Sequence, residues 1–337
     1  MKKWGLTVGT AGLLALAGCG GEGAGGDAND DLMHSHISGP TASGWYPLST
    51  LMTDIWMDDI EGANITVVEG GAIGNIRDVN NGEMLTGMAF ASDFADAVAG
   101  RGSFEDDPQE NVMGIAVLYP TLWNFAVLDS SPYESIEDAL ENGADIIPGE
   151  ASDASAQTAE RVFEAMGYTL EDIEANGGSV TYNGYGDANN QMRDGLIDMV
   201  VQGGSPYVTG LSELDATNPI RPLSIPEEAL EKLEEAGFGY TVDLAIPSGS
   251  YANQEEDVLT VTTMAMLVVN ADMNEETVYQ LTKSFWENVE RFQEEQPNRG
   301  NYFDPEIGYN ELVDPEENIH PGAKRYYEEI GVVEEEG

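Results

Sequence analysis

The chain has 337 residues, with 62 acidic and 13 basic side chains, a formal net charge of −49 and 41% hydrophobic residues. That charge argues against nucleic-acid binding, because phosphates would be repelled. The apolar content argues against a disordered acidic chain, and the length suffices for two domains with separate cores.

The first segment reads as a leader rather than as fold. Lys2 and Lys3 form a basic start, and Leu6 to Ala17 is a short run of apolar and small residues. That length suits a signal h-region and is too short for a membrane span. Leu16-Ala17-Gly18-Cys19 is the pattern that precedes a lipid-modified cysteine. Cys19 is the only cysteine, so no internal disulfide can form, and lipidation gives a reason for it. Residues 1–18 are therefore read as a signal peptide. Residues 19–35 are read as a lipidated, flexible Gly/Asp linker that holds the body to a membrane. Removal of the leader leaves 11 basic residues against 62 acidic ones. Such repulsion is tolerable in molar salt, where the Debye length falls to roughly 3 Å. The reading is of a halophilic protein facing brine.

Beyond the linker, apolar runs alternate with helical patterns, which predicts an α/β chain. A strand is predicted near His36 to Ser38, then a Gly/Ser/Thr loop and a helix from Pro47 to Asp59. A strand follows at Asn64 to Glu69, a helix at Ile73 to Asn80, and a strand at Thr86 to Ala91. A helix then starts at Ser92-Asp93, and Val112 to Leu118 is the next strand. The pattern restarts with separate strands at Trp123 to Leu128, Asp145 to Ile147, Ser179 to Tyr182, Ile197 to Gln202 and Ile220 to Ile225. The predicted helices between them are Ser135 to Glu141, Ser155 to Met166, Ala188 to Asp194 and Glu227 to Glu235. Val258 to Val269 is long enough to cross between domains. The helix after it has Asn274 as its cap, Glu275 and Glu276 at its positive end, and an apolar stripe of Val278, Leu281, Phe285, Val289 and Phe292. From Pro297 onward the chain reads as loop.

Six segments carry a family resemblance. They are Gly39-Pro40-Thr41-Ala42-Ser43-Gly44-Trp45-Tyr46-Pro47-Leu48, Glu69 to Arg77, Leu118-Tyr119-Pro120, Gly203-Gly204-Ser205-Pro206, Gln254 to Val258 and His320 to Tyr327. In this order, with the leader ahead of them, they resemble the TAXI-type solute receptors of tripartite ATP-independent periplasmic (TRAP) transporters over residues 36 to 331. The resemblance implies a two-lobed type II periplasmic binding protein fold, each lobe a mixed sheet flanked by helices, with the ligand cleft between lobes. Lobe 1 would comprise residues 36–122 plus 248–337, and lobe 2 residues 123–247. It also implies capture of a small organic acid or amino acid, such as glutamate, glutamine or a dicarboxylate, outside the cytoplasmic membrane or in the periplasm. Delivery would be to a TRAP membrane permease driven by an ion gradient, with no cofactor and no catalysis. A receptor of the same fold serving an ATP-driven importer, for example for a sulfonate-like compound, is the alternative. A surface enzyme or interaction lipoprotein on this fold is a further one.

A two-lobed receptor closes on its solute, and helix N-termini and strand-end loops supply the contacts. Thr41, Ser43, Gly44 and Tyr46 are candidates; the hydroxyls either bind a carboxylate or only cap the following helix. Asn75 is a ligand contact or a turn residue. Arg77, one of eight arginines, meets either a ligand carboxylate or an internal acid. Ser92 and Asp93 are ligand contacts or an N-cap. Tyr119 and Trp123 flank the crossover as cleft wall or hinge packing. Ser155, Gly204 and Ser205 are candidates from lobe 2. The family's Gly-rich stretch there is replaced by Gly149-Glu150-Ala151-Ser152-Asp153-Ala154-Ser155. Two acids before a helix disfavour a dianion. They leave a zwitterion, a bound cation, or plain adaptation to brine. Gly70 to Asn75 lacks the Lys and Ser/Thr of a nucleotide loop. His34-x-His36 lacks a third ligand for a metal, and no Gly-x-Ser-x-Gly elbow is present.

Overall fold

The computed structural model describes residues 31–39, 43–151, 153–205 and 207–334. Thr41, Cys19, the leader and most of the linker lie outside these. One continuous sheet runs through the molecule. Its strands are β1 (Ser35–Ile37), β2 (Thr66–Val68), β3 (Thr86–Phe90), β4 (Val112–Leu128), β5 (Asp145–Ile147), β6 (Ser179–Val180), β7 (Met199–Gly204), β8 (Ile220–Leu223), β9 (Tyr240–Thr241) and β12 (Thr262–Asn270). The spatial order is β2-β1-β3-β12-β4-β7-β5-β6, with β8 also on β4 and β9 on β12. β10 (Ala245–Ile246) and β11 (Val258–Leu259) form a separate antiparallel pair.

Three apolar clusters pack on this sheet, one in the first lobe and two in the second. The first lobe joins parallel β1, β2 and β3 to antiparallel β12 and the N-terminal half of β4. Helices Trp45–Asp59, Ala72–Asn80 and Glu275–Glu287 cover it. In the second lobe β7 and β8 pair with the C-terminal half of β4, and β5 and β6 extend from β7 in parallel. Trp123, Phe125 and Val127 project into one apolar cluster, and Leu122 and Ala126 into another on the opposite face. That is the period-2 alternation of a strand buried on both faces.

The expected break after Leu118 is absent: β4 is one strand of 17 residues that runs from one lobe into the other. Pro120, which has no amide hydrogen to give, sits within it opposite Met264. The ladder shifts register between Ala265 and Met266, next to that position. A bulge is where a sheet tolerates proline. The Val258–Val269 run divides instead, into β11 and β12. At the break, Val261 O accepts from the Trp123 amide at 3.2 Å, and Thr260 donates its hydroxyl to Trp123 O.

The tail departs furthest from the reading as loop. Pro297, Pro305, Pro315 and Pro321 each open a short helix at the first position, where a missing N–H costs nothing. The last, Pro321–Glu329, docks on Glu275–Glu287. There Trp286 Nε1 donates to the Tyr327 hydroxyl at 3.0 Å, which donates to Ile115 O at 3.1 Å. The Asn274 cap holds, accepting from the Glu276 and Thr277 amides, but the helix ends at Glu287. Val289–Glu295 is a second helix.

Candidate functional site

Several buried polar atoms bond to nothing among the described residues. In the first lobe they are Ser43 Oγ, both carboxylate oxygens of Asp93, Gln254 Oε1, Thr262 Oγ1 and Arg299 Nε. In the second they are Trp123 Nε1, Ser155 Oγ, Gln202 Oε1, Ser205 Oγ and Arg221 Nε. Buried polar groups are nearly always paired, so such atoms mark where something else can bind.

On the first-lobe side, helix Ala91–Ala99 springs directly from β3 with Phe90 at its N-cap and no side-chain cap. Ser92 and Asp93 therefore lie inside the first turn, and neither is the cap weighed from sequence. Ser92 is engaged: Thr263 donates its hydroxyl to Ser92 Oγ at 2.9 Å, and Thr263 Oγ1 lies 3.3 Å from the Ser92 amide. Asp93 is not engaged, although it is only 1% exposed. Burial pushes its carboxyl up to about 7, while Arg161 pulls it down and Asp96 adds a push upward.

On the second-lobe side, helix Ala154–Met166 opens at the seam with Ser155 in its first turn. The Asp153 carboxylate closes the preceding turn by accepting from the Glu150 amide at 3.1 Å. It thus serves the loop. At the end of β7, Gly203 gives its amide to the Tyr185 hydroxyl at 3.0 Å. A Cβ on Gly203 would come within 2.6 Å of the Trp123 ring, and one on Gly204 within 2.5 Å of Tyr207 O. Only glycine lets these backbones approach so closely. Above them Phe90 joins the lobes through its ring. Its centroid lies 4.6 Å from that of Trp45 and 5.9 Å from that of Trp123.

One edge of the seam is closed by an ion pair that the sequence reading missed. Arg161 of the second lobe bonds Asp96 Oδ2, and Arg101 of the first lobe donates Nε to Asp96 Oδ1 at 2.9 Å. Asp96 is fully buried and Arg161 nearly so. Both guanidinium groups stack on Phe238, at 4.1 Å for Arg161 and 4.8 Å for Arg101. Arg101 also donates to Ala236 O and Gly237 O. The Tyr240 hydroxyl lies 3.4 Å from Arg161 Nη1 and 3.0 Å from Thr158 Oγ1. The lobes therefore stand in contact across this edge. Acids are so numerous that pairing did not single out Asp96. The usable signal was the run Ala91-Ser92-Asp93-Phe94-Ala95-Asp96-Ala97. A helix of small and apolar residues all round is buried all round, and any acid within it is buried too.

Other candidates fall elsewhere. Asn75 is spent on the fold. Its Nδ2 donates to Ser38 O at 2.6 Å and to Met88 O at 2.7 Å, and its Oδ1 accepts from the Gly71 amide at 2.9 Å. Arg77 pairs with no acid; it donates to Ser103 O at 2.5 Å and stacks 4.9 Å from the Phe104 ring. Gly44 leaves room for Arg299, whose Nη2 lies 1.6 Å from where a Cβ would stand. Tyr119 packs in the first-lobe core between Arg299 and Phe303. Tyr46 lines a surface groove together with Ser43, Thr50, Asp54 and Glu295. His34 and His36 both bond Thr86 Oγ1 at 3.0 Å, and His36 reaches Ser49 at 3.1 Å. They form part of a polar chain within the first-lobe core.

Comparison with known proteins agrees with this architecture. The structure is similar to the alkanesulfonate-binding protein SsuA from Xanthomonas axonopodis pv. citri bound to MOPS, at 13% identity and TM-score 0.50, over 88% of this chain and 83% of that one. It is similar to the periplasmic binding protein BugD at 15% identity and TM-score 0.51, over 89% of this chain and 97% of that one. At such identities the likeness speaks for the fold, which is that of the two-lobed type II periplasmic binding proteins. A sequence model described as the NMT1-like family matches residues 37–331. With nearly the whole body matched, the chain belongs to the NMT1-like family.

Proposed function

We propose that the chain is an extracytoplasmic solute receptor, held to the membrane by lipid on Cys19, that captures a small organic acid or amino acid for a TRAP-type permease. The observation that carries this reading is the set of buried polar groups without a partner among the described residues, Asp93 of the first lobe and Trp123, Ser155 and Ser205 of the second. Asp93 and Ser155 lie in the first turns of their helices. Helix N-termini and hydroxyls favour an anionic group, and the aromatic run from Trp45 to Trp123 gives the solute an apolar wall. No step of covalent chemistry is needed: binding acts by holding the lobes closed. Lobe 1 is taken as residues 36–122 plus 248–337 and lobe 2 as 123–247. The TRAP assignment is supported by the six ordered segments and the leader.

The direct test is thermal unfolding of the purified protein in molar salt, with dicarboxylates, glutamate and glutamine added singly. A solute at a hundred times its Kd adds ~2.7 kcal/mol, a rise of several degrees in Tm. No rise with any small organic acid or amino acid sinks the receptor reading. Uptake in vesicles that follows an ion gradient supports the TRAP assignment, and uptake that requires ATP overturns it. Mass spectrometry of the membrane-extracted protein should show a diacylglyceryl group on Cys19; an unmodified cysteine would remove the anchor.

A further inference from the structure

Resting on the receptor reading, we propose that Arg299 takes the solute's oxyanion, a carboxylate or a sulfonate, on the first lobe.

Arginines in so acidic a chain find partners easily, with 62 carboxylates to 13 basic groups. Arg101, Arg161, Arg291 and Arg325 bridge to acids. Arg77, Arg193 and Arg221 donate to carbonyl or amide oxygens. Arg299 differs: it forms no ion pair among the described residues, and its buried Nε has no acceptor. A buried guanidinium N–H without an acceptor costs free energy, and a bound oxyanion would recover it.

The side chain is held in place from both ends. Its backbone lies in the turn Pro297–Gly300, where Gln296 O accepts from the Arg299 and Gly300 amides at 2.9 and 2.8 Å. A Cβ on Gly300 would come within 2.5 Å of the Phe292 backbone, so the turn is pressed onto the preceding helix. The guanidinium lies against Gly44: Nη2, Cζ and Nε stand 1.6, 2.3 and 2.9 Å from where a Cβ would be. Gly44 is the N-cap of helix Trp45–Asp59, which has no side-chain cap and no acid in its first turn. Ser43, one residue earlier, has a buried hydroxyl without a partner. A guanidinium thus rests on the positive end of a helix, and no carboxylate among the described residues bridges to it.

Acids of the same lobe do not fill the place. Asp54 and Glu295 line the groove that Ser43 also lines, yet neither pairs with Arg299, and Glu295 accepts from Arg291 Nε at 2.9 Å. Asp93, the unpartnered carboxylate, forms no ion pair with it either.

Two paths lead from Arg299 to the second lobe. Trp45 follows Gly44, and its ring leads through Phe90, at 4.6 Å, to Trp123, at 5.9 Å from Phe90. Tyr119, whose ring centroid stands 5.7 Å from Arg299 Cζ, lies on β4, the strand that also carries Trp123. A guanidinium presents a planar fork of donors that fits two oxygens of a carboxylate or a sulfonate. The ligand carboxylate weighed for Arg77 from sequence falls to Arg299.

The experiment is isothermal titration of the full-length protein in high salt with glutarate, succinate, L-glutamate, L-aspartate, taurine and ethanesulfonate, and with glutaramide as the uncharged control. The result expected is that a carboxylate or a sulfonate binds, and which of them binds tells the two apart. Arg299→Met should bind that probe at least ~10-fold more weakly, and its Tm without solute should match that of the wild type. If the methionine variant does not fold, Arg299→Lys carries the test: it keeps the charge, loses the fork and should also bind at least ~10-fold more weakly. A probe held by the wild type and the variant within about threefold overturns the assignment and leaves the receptor reading standing. Glutaramide bound within about threefold of glutarate does the same. A fall in the solute-free Tm of Arg299→Met alongside the lost affinity would make Arg299 a packing residue, and would also overturn it. Absence of binding by every probe overturns the receptor reading, and this inference falls with it.

Discussion

Replacing Asp93 with asparagine should stabilise the unliganded protein, and by an amount that grows with pH. In the folded chain the Asp93 carboxyl is held up at about 7 from an ordinary 3.8. Between those values the native state keeps its proton while the unfolded chain has lost it. Native stability therefore falls as pH rises through this window, and the full loss is present above pH 7. At roughly 1.36 kcal/mol per pKa unit, the interval corresponds to ~4 kcal/mol. Burial sets the value first, with Arg161 pulling it down and Asp96, one turn along the same helix, pushing it up. Asparagine keeps the shape and has no proton to lose. Urea unfolding of both proteins at fixed high salt should show the variant's advantage growing by about 2–3 kcal/mol between pH 5 and pH 8, then levelling. A difference that stays flat across that range would refute the claim that Asp93 is buried without a counter-charge.

Other expectations follow from the same geometry. Burial lowers the pKa of all three histidines, His36 to about 3 and His34 and His320 in the same direction. Stability is therefore intact above pH 6.5 and lost as pH falls below it, and His36→Gln should flatten that loss by up to ~1.4 kcal/mol per pH unit. Arg161→Met leaves Asp96 with Arg101 alone and should cost ~3 kcal/mol in urea unfolding. It should also enlarge the radius of gyration in small-angle scattering, because the edge that keeps the lobes in contact is gone. Gly322→Ala would set a Cβ 2.2 Å from Glu275 O and push the C-terminal helix off its neighbour. A loss of about 1–3 kcal/mol is expected by calorimetry. With a net charge of −49, the Tm should climb as salt rises from 0.1 M to molar, and a fall would contradict adaptation to brine.

Much of the fold was legible because hydrophobic period alone places strands and helices. β3, β5, Ala154–Met166 and Glu227–Glu235 stand within a residue or two of where alternation puts them. The cap at Asn274 was readable because a side-chain oxygen ahead of Glu275-Glu276 has one obvious use. β4 was split because proline usually ends a strand, and the register shift that admits Pro120 leaves no mark in one sequence. The tail was read as loop from Pro297 onward, whereas four of its prolines each begin a helix. At the seam, sequence pointed to Asp93, Ser155 and Ser205 by their place after strands. It could not see that Asn75 is tied to three backbone groups, nor that Arg77 turns outward to Ser103. Those depend on contacts between segments far apart in the chain. The run around Asp96 could have marked that acid as buried, but its partner Arg161 lies 65 positions away and has no local signature.

The place of β12 between β3 and β4 has a consequence for the order of events in folding. The first lobe cannot close its sheet from its own N-terminal stretch, because the strand that joins β3 to β4 arrives only with residues 262–270. Until then two long edges lie unpaired and the loop to be closed is large, which makes the step slow. A chain threaded through a membrane with its N-terminus first would thus emerge with its first lobe unfinished. It would stay loose enough to pass and would lock only when almost all of it had crossed. An insertion that brought a substitute strand earlier in the chain would let that lobe set too soon, and pulse-labelled export would stall.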